Sequence, residues 1–202
     1  MSLNYPNGIK RKTNNNYDSK ISHKNRGMTL ENEINSTNNY YREIEKAYIY
    51  KKPTPIKIVK VDYPNRKDAI IREAYFSTPS TTDYNGLYKG KYIDFEAKET
   101  INKTSFSLSN IHKHQIMHLE NIDKNGGISF IIVRFTKLNE TFILETKLLI
   151  DYINSSSRKS IPIEYFRKKG YLIKDGYCPK VDYLKIIDLI IGGMKNAKKR
   201  SK

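Results

Sequence analysis

A candidate β-hairpin near the middle of the chain constrains the fold more than any other segment. Residues 81–88 and 91–98 have the composition of strands, and only Lys89 and Gly90 separate them. A two-residue hairpin loop needs a positive φ, which glycine adopts at little cost. The loop therefore predicts two antiparallel strands whose register is fixed by the turn.

The register predicts which side chains of the hairpin share a face. Because side chains alternate along each strand, Asp83 is expected opposite Glu96 and Thr81 opposite Lys98, with all four on one face. The opposite face is mostly apolar and is expected to pack on the core; it carries Tyr84, Gly86, Ile93, Phe95 and Ala97.

The polar face of the hairpin predicts a metal site, because two facing carboxylates repel each other unless a proton or a cation lies between them. Carboxylate and hydroxyl oxygens suit Mg²⁺, with Mn²⁺ as a substitute. The ammonium of Lys98 suits either stabilisation of charge on a phosphate or orientation of an attacking water. The alternative is an ordinary solvated sheet face, since Asp, Glu and Lys are abundant in this chain.

The same residues resemble the active-site signature of a nuclease superfamily. Asp83 followed by Glu96-Ala97-Lys98 is similar to the signature of the PD-(D/E)XK nucleases. Longer runs resemble the bacterial RecU family of Holliday-junction resolvases over nearly the whole chain. They are NRGMTLE (25–31), KKPTPIKIVKVDYP (51–64), EAYF (73–76), STTDYNG (80–86) and YIDFEAKETINKTSF (92–106).

The resemblance implies a metal-dependent endonuclease that acts on branched DNA. It implies that Asp83, Glu96, Gln115 and Thr81 hold Mg²⁺, and that Lys98 stabilises the transition state. It also implies a homodimer that nicks four-way junctions symmetrically in homologous recombination and DNA repair. Contact with RecA and with branch-migration machinery is a further implication.

A helix predicted over residues 111–122 places Gln115 on its inward stripe, where a polar amide needs a partner. A further helix is predicted from Thr29 to about Ala47. The resemblance implies that the carbonyl oxygen of Gln115 completes the metal shell, and that a glutamate of this first helix approaches the metal. The sequence leaves Glu31 and Glu33 both open for that role. His114 and His118 lie one turn apart on the 111–122 helix, but no third zinc ligand has a suitable spacing. We therefore interpret them as surface or phosphate-contacting residues.

The charge and composition of the chain predict a DNA partner. A formal net charge of +16 favours a polyanion, although a lysine-rich background composition is the alternative explanation. The sequence shows no apolar run of membrane-spanning length and no secretory signal. The single cysteine, Cys178, permits no internal disulfide and fits a cytoplasmic location.

A second, strongly basic hairpin is predicted over about 51–76, with a turn at residues 63–66. The resemblance implies that it forms a stalk which projects from the globular body and engages the junction. Arg66 at the turn is singled out, because an exposed guanidinium at a protruding tip can reach a junction centre or a partner protein. The alternative is a solvated edge hairpin protected by lysines against aggregation. The predicted DNA-binding residues are Lys51, Lys52, Lys57, Lys60, Arg66, Lys67 and Arg72.

The predicted fold is α/β, with a mixed central sheet flanked by helices, as in a restriction-endonuclease-like core. We expect a flexible basic arm at 1–26, one nuclease domain at 27–194 and a basic tail at 195–202. Two alternative functions are a non-catalytic junction-binding or RecA-modulating factor and a restriction-type endonuclease. The intact acidic, lysine and glutamine positions favour an enzyme over a purely binding protein.

Overall fold

The computed structural model describes residues 26–200 apart from Arg66, Asp68 and 77–80, with the backbone alone at 26–29 and 194–200. Almost all of the predicted N-terminal arm and the predicted stalk-tip residue Arg66 therefore lie outside the described residues. The elements in chain order are α1 (Arg26–Glu43), β1 (Tyr48–Lys51), β2 (Ile56–Asp62), β3 (Ile70–Phe76), β4 (Tyr84–Tyr88), β5 (Lys91–Thr100), β6 (Ser105–Ser107), α2 (Lys113–Lys124), β7 (Ile128–Phe135), β8 (Glu140–Glu145), α3 (Thr146–Ser155), β9 (Ser160–Pro162), α4 (Ile163–Lys169), β10 (Tyr171–Ile173) and α5 (Leu184–Arg200).

A six-stranded sheet forms the centre of the molecule, in the strand order β1-β4-β5-β7-β8-β10. Strands β5 and β7 are parallel, and the other neighbouring pairs of this sheet are antiparallel. The sheet is therefore mixed, which confirms the predicted α/β fold with a mixed central sheet.

Helices cover both faces of the sheet because β7, at its centre, is apolar on both sides. Phe130 and Ile132 pack with α1 and α5, whereas Ile131 and Val133 pack with α2, α3 and α4. All four side chains are fully buried. The near-continuous apolar sequence of β7 follows from this double burial. Among the residues that the structure describes, no helix is long and apolar enough to cross a membrane.

The hairpin formed by β4 and β5 has the predicted turn and register. Lys89 and Gly90 both have positive φ, at 48° and 71°, and the ladder runs from Tyr88 opposite Lys91 to Tyr84 opposite Phe95. The prediction that the first strand begins at residue 81 is wrong, since β4 begins at Tyr84.

The ladder stops before Thr81 can pair with Lys98, because the backbone N–H of Asp83 donates to the Glu96 side chain at 3.0 Å. The expected pairing of Thr81 with Lys98 is therefore not formed.

Strands β2 and β3 form a separate two-stranded sheet, which we call the stalk. The side chains of both strands are exposed apart from the last two residues of β2, which are half-buried. Lys51 and Lys52 do not belong to the stalk: Lys51 ends β1 of the central sheet, and Pro53 and Pro55 follow. Since proline has no backbone N–H to donate, these prolines separate β1 from β2.

The C-terminal helix α5 continues past its apolar stripe, which ends near Ile191, to Arg200. Most of the predicted basic tail is therefore part of α5.

Candidate active site

A pair of carboxylates lies where β4 begins beside β5. Glu96 is fully buried on β5. Its Oε2 accepts from the backbone N–H of Asp83 at 3.0 Å, while Oδ2 of Asp83 accepts from the backbone N–H of Ala97 at 3.3 Å. The structure thus places Asp83 opposite Glu96 as the hairpin register predicts, although Asp83 lies just outside the strand.

Lys98 and Glu96 lie on the same face of β5, because alternate residues of a strand point the same way. The Lys98 ammonium is 2.5 Å from Oε1 of Glu96, and the lysine side chain remains 28% exposed. Because Lys98 pairs with the buried Glu96 and also reaches solvent, the site has an accessible positive charge beside its carboxylates.

The electrostatics of the site favour either a proton or a cation at Glu96. Burial, and next the negative charge of Asp83, raise the pKa of Glu96 to about 7, against the lowering effect of Lys98. Glu96 therefore tends to retain its proton at neutral pH. A divalent cation bound between Glu96 and Asp83 would relieve the same repulsion between the two carboxylates.

Gln115 reaches the site from α2, as the helical stripe predicts, and is buried. Its Nε2 donates to Oε1 of Glu96 at 2.7 Å, and its Oε1 accepts from the backbone N–H of His112 at 3.0 Å. The amide nitrogen, rather than the expected carbonyl oxygen, thus faces the carboxylates. The carbonyl oxygen instead satisfies a free N–H at the start of α2.

Thr81 is exposed, and its hydroxyl accepts from the Lys52 ammonium at 3.0 Å. The next residue, Thr82, is the buried one of the two. This difference from the sequence prediction follows from the early end of the β4 ladder, which removes Thr81 from the strand alternation.

A second buried carboxylate, Asp94, is part of the same face and was missed by the sequence reasoning. Its Oδ2 lies 2.9 Å from the Lys52 ammonium, 3.0 Å from the Tyr92 hydroxyl and 3.1 Å from Nε2 of His118, and its Oδ1 accepts from the Thr82 hydroxyl. The signal was present in the sequence, because Asp94 is two residues before Glu96 on a strand and must share its face.

Glu31 and Glu33, the two candidate glutamates on α1, both contact basic side chains. Glu33 is held by Arg134 and Lys180, each at 2.6 Å. Burial raises the pKa of Glu33, but the hydrogen bonds and charges of these two partners outweigh burial and keep it below its usual value. Glu31 is paired with Lys51. The assignment of one of these glutamates to a metal role stays a prediction.

The donor atoms of the site fit a hard cation in part. Asp83 and Glu96 supply carboxylate oxygens, which Mg²⁺ and Mn²⁺ prefer. The structure, over its described residues, contains no group of three or more His, Cys, Asp or Glu side chains that could hold a metal ion. Further ligands would come from the Gln115 carbonyl oxygen after rotation of its amide, from Thr81, or from water.

The predicted DNA-binding residues that the structure describes, a set without Arg66, separate into two groups. On the stalk, Lys57, Lys60 and Lys67 are exposed, and Arg72 pairs with Asp62 at 2.5 Å while 60% of its side chain stays exposed. Lys51 and Lys52, in contrast, contact acidic side chains of the central body.

A mixed sheet flanked by helices thus gathers Asp83, Glu96 and Lys98, whose spacing resembles the PD-(D/E)XK signature, at one end of its central hairpin. A family model described as Recombination protein U matches residues 25–189. The chain belongs to this RecU family.

Individual relatives match over almost their whole length. A protein of Geobacillus kaustophilus described as Holliday junction resolvase RecU is 51% identical over 194 residues, which are 93% of this chain and 97% of that protein. A protein of Pediococcus pentosaceus with the same description is 52% identical over 198 residues, which are 95% of this chain and 98% of that protein. Among solved structures, Hjc of Archaeoglobus fulgidus, a Holliday junction resolvase, has a TM-score of 0.40 and 11% identity over 67% of this chain and 91% of that chain.

Proposed function

We propose that this protein is a Holliday junction resolvase, a metal-dependent endonuclease that nicks four-way DNA junctions. The observation that carries the proposal is the contact of Asp83, Lys98 and Gln115 with the buried carboxylate of Glu96. Membership of the RecU family and the shared description of its relatives support the same reaction and substrate.

In the proposed mechanism, the chain's own groups position and stabilise the reacting phosphate. Asp83 and Glu96, with Gln115 and Thr81, would hold Mg²⁺ or Mn²⁺. A bound divalent cation supplies Lewis-acid stabilisation and lowers the pKa of a coordinated water. Lys98 contacts the buried carboxylate and reaches solvent, and it would offset negative charge that develops on the phosphate.

DNA capture is assigned to the stalk and to the positive charge of the chain. Exposed lysines on β2 can neutralise phosphates and release counterions, which favours binding to any duplex arm. Two opposed nicks in a four-way junction are most simply made by a two-fold symmetric homodimer. We further propose action in cytoplasmic recombination and repair, in contact with RecA or branch-migration partners.

The proposal is tested with a labelled four-way junction and a linear duplex of matched sequence. Wild-type protein and the Asp83→Asn variant are incubated with each DNA in Mg²⁺ or in EDTA. Symmetric nicks in the junction that require Mg²⁺ and disappear in the variant are expected. Tight junction binding by wild type without cleavage in Mg²⁺ or Mn²⁺ would contradict the proposal and indicate a binding factor.

A further inference from the structure

Asp94 lies beside the proposed catalytic pair and has no part in the chemistry proposed above. It is fully buried and lies two residues before Glu96, on the same face of β5. Burying an unpaired charge costs a large amount of folding free energy. The groups that contact Asp94 are therefore needed to stabilise its buried carboxylate. Those groups include Lys52 and Thr82.

Lys52 connects Asp94 to both chain segments at the base of the stalk. The Lys52 ammonium is 2.9 Å from Asp94, 3.0 Å from the Thr81 hydroxyl and 2.6 Å from the Thr82 hydroxyl. Its backbone N–H donates to the carbonyl oxygen of Asp83 at 2.7 Å. Lys52, which lies just before the stalk in the chain, thus binds residues 81–83, which lie just after it.

The position of Asp83 depends on these contacts because the strand ladder does not include it. Strand β4 begins at Tyr84, one residue later. Asp83 is held by its backbone N–H bond to Glu96, by the bond that its Oδ2 accepts from the Ala97 N–H, and by the contact from Lys52. The neighbouring Thr82 is in turn anchored to Asp94. Loss of the bond between Thr82 and Asp94 would make the backbone more mobile at Asp83, the proposed metal ligand.

We propose that Asp94 is a positioning residue which, through Lys52 and Thr82, holds Asp83 against Glu96. We call these three side chains the stalk clamp. The inference rests on the proposed nuclease function, and it makes the base of the stalk a part of the cleavage site. A displacement of Lys52 or Thr82 at the base of the stalk therefore also displaces Asp83.

The primary test is Thr82→Val, which keeps the shape of the side chain and removes the hydroxyl that contacts both Lys52 and Asp94. The matched control is Thr37→Val, since Thr37 is also a buried threonine with a hydroxyl contact, to Val181, but lies on α1. Thr37→Val should lose about 2–4 °C in melting temperature, the cost of one hydrogen bond in a chain of this size. Thr82→Val should lose more, because the Thr82 hydroxyl bonds to both Lys52 and Asp94.

The two threonine variants should differ in the site itself. Single-turnover nicking of a four-way junction in Mg²⁺ should fall roughly 10–100-fold in Thr82→Val, the usual range for groups that orient ligands, and stay unchanged in Thr37→Val. The junction Kd, measured in Ca²⁺, should stay within about twofold of wild type in both, because neither change removes a group that contacts DNA. The double variant Lys52→Met/Asp94→Asn, which removes both charges together, should lose nicking to a similar extent as Thr82→Val.

A second readout needs no activity. Hydrogen exchange at the Asp83 amide in metal-free protein should be at least about tenfold faster in Thr82→Val than in wild type or Thr37→Val, because the amide's bond to Glu96 opens more often. Equal nicking and equal exchange in the two threonine variants would overturn the positioning role. Loss of nicking in proportion to loss of junction binding would also overturn it. If wild type fails to nick junctions, the proposed function falls, while the exchange measurement still decides the clamp.

Discussion

The carboxylate face of β5 and the stalk contain the same kinds of charged residues in opposite environments. Glu96 is fully buried and Lys98 is 28% exposed in the site, whereas the Arg72 and Asp62 side chains of the stalk are 60% and 43% exposed. Exposed ion pairs contribute about 0–1 kcal/mol, while removing one partner from a buried pair costs several kcal/mol. The site therefore has charges fixed by the fold, and the stalk has charges that remain exposed to solvent.

The apolar residues show the same contrast. Phe95 on β5 is fully buried and stacks between Tyr84 and Phe130, with ring centroids 4.8 and 4.9 Å apart. Phe76 at the end of β3 is 80% exposed. The stalk thus adds little to the core, so changes there are expected to alter binding and leave the stability of the central body largely intact.

Glu96→Gln, on the buried face of β5, is expected to reduce junction nicking more than the lysine substitutions discussed below. The amide cannot supply the negative charge that the proposed metal requires, so junction nicking should fall by on the order of 10³-fold or more, as when one member of a cooperating catalytic set is removed. Single-turnover cleavage of a labelled junction measures this. The control is Glu164→Gln, whose side chain is 75% exposed on α4 and should leave cleavage unchanged; a comparable loss in both would contradict the assignment.

Lys98→Met is expected to have the next largest effect. It removes the charge placed near the phosphate and keeps an unbranched side chain, so the cleavage rate should fall roughly 10²-fold with little change in junction Kd. Lys124→Met is the matched control, because Lys124 also pairs with a glutamate, Glu120, on the surface of α2. If Lys98→Met weakened binding and left the rate at saturation intact, Lys98 would be a DNA contact only.

A smaller effect is expected from Lys57→Ala/Lys60→Ala on the stalk. Removing two exposed charges should weaken junction binding about tenfold at moderate salt and lower the slope of log K against log salt by roughly two. Fluorescence anisotropy between low and moderate salt measures both quantities. An unchanged slope would mean that the stalk lysines do not contact phosphates.

The smallest expected effect is the pH dependence of stability in metal-free protein. Because the pKa of Glu96 is raised to about 7 in the fold, its contribution is fully present below the unfolded value near 4.5 and is lost as pH rises through 7. Between pH 5 and pH 8 in EDTA, wild type should therefore lose several degrees more in melting temperature than Glu96→Gln. Mn²⁺ at pH 8 should restore stability to wild type alone; equal pH profiles would contradict the raised pKa.

The site could be predicted from sequence as far as the hairpin register reaches. The Lys89-Gly90 turn fixes the pairing of β4 with β5, and this alone brings Asp83 near Glu96. Thr81 was misplaced because the pairing was extended beyond the end of the ladder. A strand's end depends on where backbone N–H groups find other acceptors, and here the acceptor is the Glu96 side chain.

The network around Asp94 and the placement of Lys52 depend on tertiary contacts that local patterns do not show. Lys52 follows Lys51 in a basic run and resembles a stalk lysine, yet its ammonium contacts a carboxylate 42 residues later in the chain. Pro53 and Pro55 mark the boundary between β1 and the stalk and could have indicated that Lys51 and Lys52 lie on the body side. The rotation of the Gln115 amide likewise follows from the free N–H of His112.

We assign cleavage to the buried carboxylate face of β5 and junction capture to the stalk. The most direct measurement compares Asp83→Asn with Lys57→Ala/Lys60→Ala on one labelled four-way junction, recording Kd in Ca²⁺ and single-turnover nicking in Mg²⁺ at saturating protein. We expect Asp83→Asn to bind the junction like wild type without nicking it. We expect the stalk variant to bind weakly but to nick at the wild-type rate once saturated. Parallel loss of binding and nicking in both variants would contradict it.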